Sequence, residues 1–222
     1  MALTIDVVTL FPNFFKGPLE ESILKRAQKE GHVDIRVHNL RKYTHDVHKT
    51  VDDKPFGGGA GMVIKPEPVF ECLEDIRKDG WVVMLAPHGK TFHQEKALEL
   101  AGRKHVVLLA GHYEGFDYRI HENMVDEEIS VGNFITMGGE APALCIIEAV
   151  VRLIPGVLGN SESLTHESFQ SGHLEYPQYT RPRSFRGWEV PDVLVSGNHK
   201  EVETWRRRMA RKITKEKRSD LI

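Results

Sequence analysis

A glycine-rich loop at residues 50–62, TVDDKPFGGGAGM, combines two carboxylates, one lysine and four glycines in thirteen residues. Charged residues followed by glycines are typical of loops that wrap around a phosphate or a nucleotide. The loop lacks the Lys-Ser/Thr pair of a Walker sequence, and Met62 stands where the dinucleotide pattern requires its third glycine. Because glycines permit positive φ and close backbone approach, this stretch alone leaves a hinge and a ligand loop equally open.

His45 and His48 precede this loop, and a histidine pair could ligate a metal ion. No cysteine accompanies them and no matching distal pair follows, so a solvated pair is the favoured interpretation. Cys72 and Cys145 each lie among apolar neighbours in predicted helices. This pattern indicates reduced core residues and not a disulfide or a metal site.

Three further turns carry glycine or proline beside polar residues: residues 85–90 (LAPHGK), 110–117 (AGHYEGFD) and 130–142 (SVGNFITMGGEAP). Each turn follows a predicted strand, and ligands bind where the carboxyl ends of parallel strands meet. Together the turns predict a pocket that holds a nucleoside-like ligand mainly through backbone groups. Any α/β protein needs tight turns here, so the pattern alone leaves a purely structural role open.

Alternating patterns of apolar residues predict the elements that position these turns. Short β-branched runs predict strands at residues 3–10, 32–40, 80–87, 104–111 and 127–136. Amphipathic patterns predict helices at residues 18–31, 66–80 and 93–104, and a long apolar helix at residues 141–154. Strands that alternate with helices indicate an α/β domain with a mostly parallel sheet.

The composition changes near residue 160, where Ser, Gly, Pro and aromatic residues follow without a sustained period. A structureless segment of this length is typical of a functional loop or a linker. The pattern of residues 199–222 then predicts a helix. From residue 200 onward the chain holds nine Lys/Arg against four Asp/Glu. We therefore predict an α/β domain at 1–159, a linker at 160–173 and a small, basic, helical domain at 174–222.

The overall composition is that of a globular protein, with 222 residues, 40% hydrophobic residues and a net charge of −2. This charge excludes a uniformly basic coat but not a local basic patch. No apolar run is long enough to cross a bilayer, and the first residues lack the pattern of a signal peptide. These features predict a cytoplasmic protein.

Six motifs, in order, resemble the TrmD family of bacterial tRNA (guanine-N1)-methyltransferases, which belongs to the SPOUT class. They are GGGAGM, GHYEGFD, DEEISVGNFITMGGE, RLIPGVLGN, YPQYTRP and VPDVLVSGNH. The resemblance runs from TLFPNFF to WRRRMARK, nearly the whole chain. It implies a SPOUT-type parallel sheet with a deep trefoil knot, a homodimer, and S-adenosyl-L-methionine bound in the knot. Knots are too rare for periodicity to suggest one.

The resemblance also implies the reaction, which is methylation of N1 of the guanine at tRNA position 37, just 3′ of the anticodon. Family activity depends on Mg²⁺, for which the sequence assigns no ligand. The resemblance places the methyl donor among the three turns described above. The implied donor-binding residues are Leu85, Pro87, Gly111, Tyr113, Glu114, Val131, Gly132, Asn133, Phe134, Ile135, Thr136, Gly138 and Gly139.

The reaction requires a base, because guanine N1 carries a proton at neutral pH. Loss of this proton places negative charge on O6, which a fixed cation could stabilise. By resemblance the cation is Arg152, and the base is Glu167, where the family has an aspartate; the adjacent His166 is a weaker alternative. Asp52 matches a further family position near the tRNA and the active site. Without the resemblance, Arg152 is best explained by the dipole at a helix C-terminus.

The linker and the basic helix then predict contacts with tRNA. The arginines of WRRRMARK would hold phosphates, and YPQYTRPRSF offers aromatic side chains to unstacked bases. In the family dimer the linker of one subunit meets the donor pocket of the other, so Glu167 would act across the interface.

Three alternatives are a nucleotide-binding enzyme such as a dehydrogenase, another SPOUT RNA methyltransferase, and a non-catalytic RNA-binding protein of the same fold. The missing dinucleotide and Walker fingerprints count against the first.

Overall fold

The computed structural model describes residues 2–159, 167–169 and 172–222 of the chain. The chain divides into two compact units, residues 1–159 and 160–222. Most of the predicted linker, residues 160–166 and 170–171, lies outside the described residues, as does His166. The α/β sheet belongs to the first unit, and the basic C-terminal helix belongs to the second.

A five-stranded parallel sheet, in the spatial order β2-β1-β6-β5-β7, forms the centre of the first unit. The strands of this unit are β1 (Leu3–Thr9), β2 (Val33–Asn39), β3 (Asp52–Asp53), β4 (Val63–Ile64), β5 (Trp81–Thr91), β6 (His105–Ala110) and β7 (Glu127–Ser130). The apolar runs VVML in β5 and VVLL in β6 are buried, as strands covered on both faces must be. The structure therefore confirms the predicted α/β class and the parallel sheet.

Helices cover both faces of this sheet. They are α1 (Lys16–Leu19), α2 (Ser22–Lys29), α3 (Pro66–Ile76), α4 (Gln94–Ala101), α5 (Tyr118–Met124) and α6 (Glu140–Val151). Helices α1, α2, α4 and α6 pack into one apolar core with sheet residues such as Leu108. Helices α3 and α5 pack into a second core on the opposite face, around Leu109. Burial of each such leucine contributes about 1.5–3 kcal/mol.

Two predicted elements have different limits in the structure, and one helix was not predicted. The helix expected at residues 18–31 is interrupted, because Glu21 is extended (φ −116°, ψ 154°) and separates α1 from α2. The strand expected at residues 127–136 ends at Ser130, and the chain then leaves the sheet. Helix α5 was not predicted; it begins after Asp117, whose side chain accepts a hydrogen bond from the backbone N–H of Arg119.

The two cysteines differ in environment. Cys72 is fully buried, and burial raises the pKa of its thiol to about 12. Cys145 is exposed on α6 in the single chain, so its prediction as a core residue is wrong. The period of α6 explains the error: its apolar residues surround the helix, and only some of them can face the sheet.

The second unit contains a short hairpin, β8 (Ser184–Phe185) with β9 (Trp188–Glu189), and the long helix α7 (His199–Lys217). Asn198 caps α7 by accepting a hydrogen bond from the N–H of Glu201. The buried hydroxyl of Thr214 accepts a hydrogen bond from the N–H of Leu174 at 2.9 Å, which attaches the preceding segment to α7.

In the described part of the chain, no helix has both the length and the apolar character needed to span a membrane.

Candidate functional site

A cavity of about 620 Å³ lies in the first unit where β5, β6 and β7 end. The loops that follow these strands form much of its wall, so the structure brings the three predicted turns together. The predicted residues that line it are Leu85, Pro87, Gly111, Tyr113, Glu114, Val131, Gly132, Phe134, Ile135, Thr136, Gly138 and Gly139. Asn133 is the predicted donor-binding residue that is not part of the lining.

The second and third turns meet through main-chain atoms at Gly139. Its N–H donates a hydrogen bond of 2.8 Å to the carbonyl of Gly111. A β-carbon at position 139 would lie 2.7 Å from the Cα atom of Ala110, which is closer than real contacts allow. Glycine is therefore required here for the close approach of two backbone segments that both contribute to the cavity wall.

A buried polar cluster of Thr9, His112 and Glu140 supports the cavity wall from behind. Glu140 is only 3% exposed, and its carboxylate accepts a hydrogen bond from the Thr9 hydroxyl at 2.6 Å. Its other oxygen lies 2.7 Å from His112 Nε2. Glu140 is also the first residue of α6, where the helix dipole favours a negative charge. These contacts hold the turn that carries His112 against α6, a role that sequence reasoning missed although both residues lie within the quoted motifs.

Tyr113 has a strained backbone at the cavity wall. Its φ of 61° lies in the left-handed region, which non-glycine residues rarely adopt. Such a conformation costs of order 1–3 kcal/mol and is found most often at ligand sites. The side chain is 47% exposed, so the strain is not explained by core packing. Tyr113 is one of the residues that line the cavity.

The charges around the cavity restrict what it can hold. Among the described lining residues, Glu114 is the acidic one, and none is lysine or arginine. Phosphate groups are usually held by such cations or by a free helix N-terminus, and the N-terminal residue of α6 is an acid here. The lining therefore suits a ligand without phosphate that carries positive charge near Glu114.

The glycine-rich loop connects to this wall without forming it. It lies between β3 and β4, and Gly57, Gly58, Gly59 and Gly61 all have positive φ. The carbonyl of Met62 accepts a hydrogen bond of 2.9 Å from the N–H of Glu114. Asp52 is partly buried in β3 and is not a lining residue. The loop is thus a neighbour of the second turn, and the prediction for Asp52 remains untested.

Arg152 and Glu167 lie in different units. Arg152 is the C-cap residue of α6, is partly buried and does not line the cavity. Glu167 is partly buried in the second unit. Asp52 and Arg152 belong to the first unit and Glu167 to the second, so neither unit by itself contains all three residues.

Glu167 lines a second cavity, of about 340 Å³, that is bordered by α7. The basic residues of its wall are Arg206, Arg207 and Arg211. The guanidinium of Arg206 lies 4.8 Å from the centre of the Tyr176 ring, which is a cation–π contact. Its buried Nε has no hydrogen-bond partner within the described residues. This wall thus offers an aromatic ring, three arginines and three carboxylates, which belong to Glu167, Glu175 and Glu203.

Comparison with known proteins identifies relatives along the whole chain. The family model described as tRNA (Guanine-1)-methyltransferase TrmD matches residues 3–222. A protein of Dictyoglomus turgidum named tRNA (guanine-N(1)-)-methyltransferase is 53% identical over 221 residues, covering 99% of this chain and 90% of that protein. The protein of the same name from Halalkalibacterium halodurans is 51% identical over 224 residues, covering 99% and 91%. That from Anoxybacillus flavithermus is 50% identical over 224 residues, again covering 99% and 91%.

Proposed function

The chain belongs to the TrmD family of tRNA (guanine-1)-methyltransferases, and we propose that it methylates N1 of guanine 37 in tRNA with S-adenosyl-L-methionine as the donor. The observation that carries this proposal is the cavity formed by the three predicted turns. Its volume of about 620 Å³ is within the range of small-molecule sites. This reading also accounts for the missing Walker and dinucleotide fingerprints, because no phosphate has to be bound.

The lining matches the chemistry of this donor. S-adenosyl-L-methionine carries no phosphate, and it supplies a methyl group that its positively charged sulfonium already activates. Glu114 provides negative charge, and other backbone groups of the three turns hold the adenosine part. Tyr113 offers its ring for a stacking or cation–π contact. Asn133 acts through its backbone or through the order of its loop, since it is outside the lining.

The target base requires a proton acceptor and a cation. Glu167 takes the proton from guanine N1, so that the N1 lone pair can form the bond to the methyl carbon as the carbon–sulfur bond breaks. Arg152 stabilises the negative charge that develops on O6. Asp52 positions the glycine-rich loop towards the base and the tRNA. Because Glu167 is one methylene longer than the family aspartate, its backbone would have to lie further from the base.

These residues meet, in our proposal, at the interface of a homodimer. The outward face of α6 presents a stripe with helical spacing, formed by Ala141, Leu144, Cys145, Glu148 and Arg152. A stripe that is apolar at one end and carries Arg152 at the other suits contact with a second subunit. The cavity loop supports the same idea, since Phe134, Ile135 and Met137 are exposed hydrophobic side chains. In our proposal, the partner that covers them also supplies its Glu167 to the cavity.

The remaining features of the proposal concern topology, tRNA and location. We assign the SPOUT trefoil knot to the first unit, where the segment after β7 passes close to Ala110 at Gly139. We assign 1–159 to donor binding, 160–173 to the linker and 174–222 to tRNA binding, with the arginines of α7 holding phosphates. Transfer RNA is the substrate, and the reaction takes place in the cytoplasm.

The family requires Mg²⁺, but the described residues contain no group of three oxygen ligands placed to share one ion. Mg²⁺ prefers oxygen ligands in an octahedral arrangement. The one group of three His, Cys, Asp or Glu side chains placed to share an ion, among the residues that the structure describes, contains two histidines. We therefore assign no Mg²⁺ ligand and derive no step through this ion.

Methyl transfer to an unmodified tRNA transcript tests the proposed function. With S-adenosyl-L-methionine labelled in its methyl group, we expect label in the transcript that has guanine at position 37. The matched transcript with adenine at position 37 should remain unlabelled, and digestion should locate the label in 1-methylguanosine. Equal labelling of both transcripts would show that the target is another nucleotide or a ribose hydroxyl. No labelling of either would support an RNA-binding role without catalysis.

A further inference from the structure

His88, His121 and Glu128 form a cluster beside the donor cavity that the proposed reaction does not use. His88 Nε2 lies 3.0 Å from Oε2 of Glu128, and His121 Nδ1 lies 2.5 Å from Oε1 of the same carboxylate. One nitrogen or oxygen from each residue can be chosen so that all three atoms lie within 4.8 Å of one another. Both histidines line the cavity. His121 and Glu128 are seven residues apart, whereas His88 comes from a distant part of the sequence, so no local motif identifies the cluster.

The fold places these three side chains together for identifiable reasons. His88 lies in β5 where its pairing with β7 shifts register between Leu85 and Lys90. A β-carbon on the next residue, Gly89, would lie 2.5 Å from the backbone of Glu128. This close approach brings His88 beside Glu128.

The third member, His121, is held from α5. The ring of Tyr118, one turn earlier in α5, stacks on the imidazole with centroids 5.3 Å apart and an interplanar angle of 18°. The imidazole of His88 also stacks with that of His121, with centroids 5.4 Å apart and an interplanar angle of 27°. The rings are therefore oriented by packing and not only by their contacts with Glu128.

We propose that this cluster binds a divalent transition-metal ion such as Zn²⁺ or Co²⁺. Ligand atoms on such an ion lie about 2.0–2.2 Å from it, and so about 3.0–3.5 Å from one another. The separation of His88 Nε2 and Glu128 Oε2 already fits, and small side-chain rotations would bring His121 into place. Two imidazoles with one carboxylate favour zinc, copper, nickel, cobalt or iron over Mg²⁺, which prefers oxygen ligands.

The degree of exposure also suits an ion that enters from solvent. The side chain of His121 is 10% exposed, that of Glu128 is 30% exposed and that of His88 is 59% exposed. The ion would thus rest on two partly buried ligands, and His88 would close over it from the open side. Three protein ligands leave a coordination position for water. The bound ion would connect β5, α5 and β7, all of which contribute to the cavity.

Titration of the purified full chain with Co²⁺, without tRNA or methyl donor, tests this proposal independently of the proposed function. Co²⁺ bound to nitrogen and oxygen ligands gives a visible absorption spectrum that the hydrated ion lacks at that intensity. We expect saturation at one ion per chain, displacement by Zn²⁺ and no displacement by excess Mg²⁺. Thermal unfolding should shift to higher temperature with Co²⁺, because the ion binds only the folded site.

Substitutions test whether Co²⁺ binds to this cluster or to other histidines of the chain. His88→Gln/His121→Gln should lose the spectrum and the thermal shift, and Glu128→Gln should weaken binding at least tenfold while keeping both imidazoles. The matched control is His45→Gln/His48→Gln, which removes an exposed pair beside Glu71 and should bind as the unmodified chain does. Circular dichroism checks that each variant is folded, and single His88→Gln, at the most exposed ligand, replaces the double variant if that one is not.

Four results would overturn the proposal: no saturable Co²⁺ binding by the unmodified chain, unchanged binding after loss of His88 and His121, loss of binding in the His45/His48 control, or displacement of Co²⁺ by Mg²⁺.

Discussion

The cavities of the two units differ in the charged side chains that line them. The cavity of the first unit is lined largely by backbone and apolar groups, without lysine or arginine among its described lining residues. The cavity of the second unit is lined by three arginines, Arg206, Arg207 and Arg211, and also by three glutamates, Glu167, Glu175 and Glu203. A backbone surface is fixed once the chain folds, whereas arginines bind through charges that salt screens. Changes in folding should therefore damage the first surface, and changes in charge or salt should damage the second.

The largest effect is expected from Glu167, the carboxylate at the second cavity that we propose as the base. Glu167→Gln keeps the size of the side chain but cannot accept the N1 proton, so the rate of methyl transfer should fall about 10²–10⁴-fold. Glu167→Asp is the matched control and should retain activity. Single-turnover methyl transfer measures both, and donor binding by calorimetry should be unchanged in each variant. A fully active Gln variant would show that the base lies elsewhere.

The arginines of α7 should give the next largest effect. Replacing Arg206, Arg207 and Arg211 with glutamine should weaken tRNA binding about 10-fold or more and flatten its dependence on salt, because fewer phosphate contacts remain. Filter binding at several salt concentrations measures this, with Arg36→Gln as the control, since that exposed arginine pairs with Asp34 in the first unit. Affinity for the methyl donor should not respond to these changes. Weakened donor binding would contradict the division between the two surfaces.

Gly139→Ala should damage the first cavity without any change in charge. The new β-carbon would meet the backbone at Ala110, so we expect a loss of about 1–3 kcal/mol in the free energy of unfolding. Donor affinity should fall with it, because the two turns must move apart. Gly17→Ala, where a β-carbon meets nothing within 4 Å, is the matched control. Urea unfolding and calorimetry measure both quantities; unchanged donor binding in the Gly139 variant would separate this contact from the site.

The smallest effect concerns Asp6 in β1, part of the sheet that carries the first cavity. Asp6 is 1% exposed, and each of its oxygens lies 2.6 Å from a histidine, His38 or His105. Burial raises the pKa of Asp6, but the hydrogen bonds to these histidines outweigh it and leave the pKa below its usual value. Asp6→Asn leaves one imidazole without an acceptor and should cost about 1–2 kcal/mol at pH 7.

The pH dependence of this effect has a defined sign. Because the pKa of Asp6 is lowered on folding, its contribution is complete above about pH 4 and is lost as the pH falls through the lowered value. Urea unfolding should therefore show the full difference between Asp6→Asn and the unmodified chain at pH 7, and a smaller one near pH 3. Asp34→Asn, on the neighbouring strand but exposed, should have almost no effect at either pH. A difference that grows on acidification would refute this assignment.

The elements with local signals were predicted well from sequence. Continuous apolar runs predicted β5 and β6, and their order with the helices predicted a parallel sheet. The turns at the strand ends could be recognised because Gly111 directly follows the apolar run of β6, and Gly139 lies in a motif with several glycines after β7. What local patterns cannot show is why Gly139 is required, since the backbone it approaches is almost thirty residues away.

Clusters formed by tertiary contacts were missed for the same reason. The sequence drew attention to His45 and His48 because they are close in sequence, whereas His88 reaches Glu128 through the pairing of β5 with β7, and His121 reaches it from α5. Helix α5 was missed as well, and with it the position of His121. Whether Cys145 is exposed depends on which side of α6 faces the sheet. The sequence does not reveal that side, because apolar residues surround the helix.

The most direct test of the account is complementation between two inactive variants, because its central claim is that the two units of different subunits complete one active site. Arg152→Ala and Glu167→Gln chains are each purified, mixed under conditions that allow subunit exchange, and assayed for methyl transfer to tRNA. A mixed dimer regains one site with both residues intact, so we predict recovery to roughly a quarter of the unmodified rate. No recovery, with subunit exchange confirmed by mass spectrometry, would contradict the composite site.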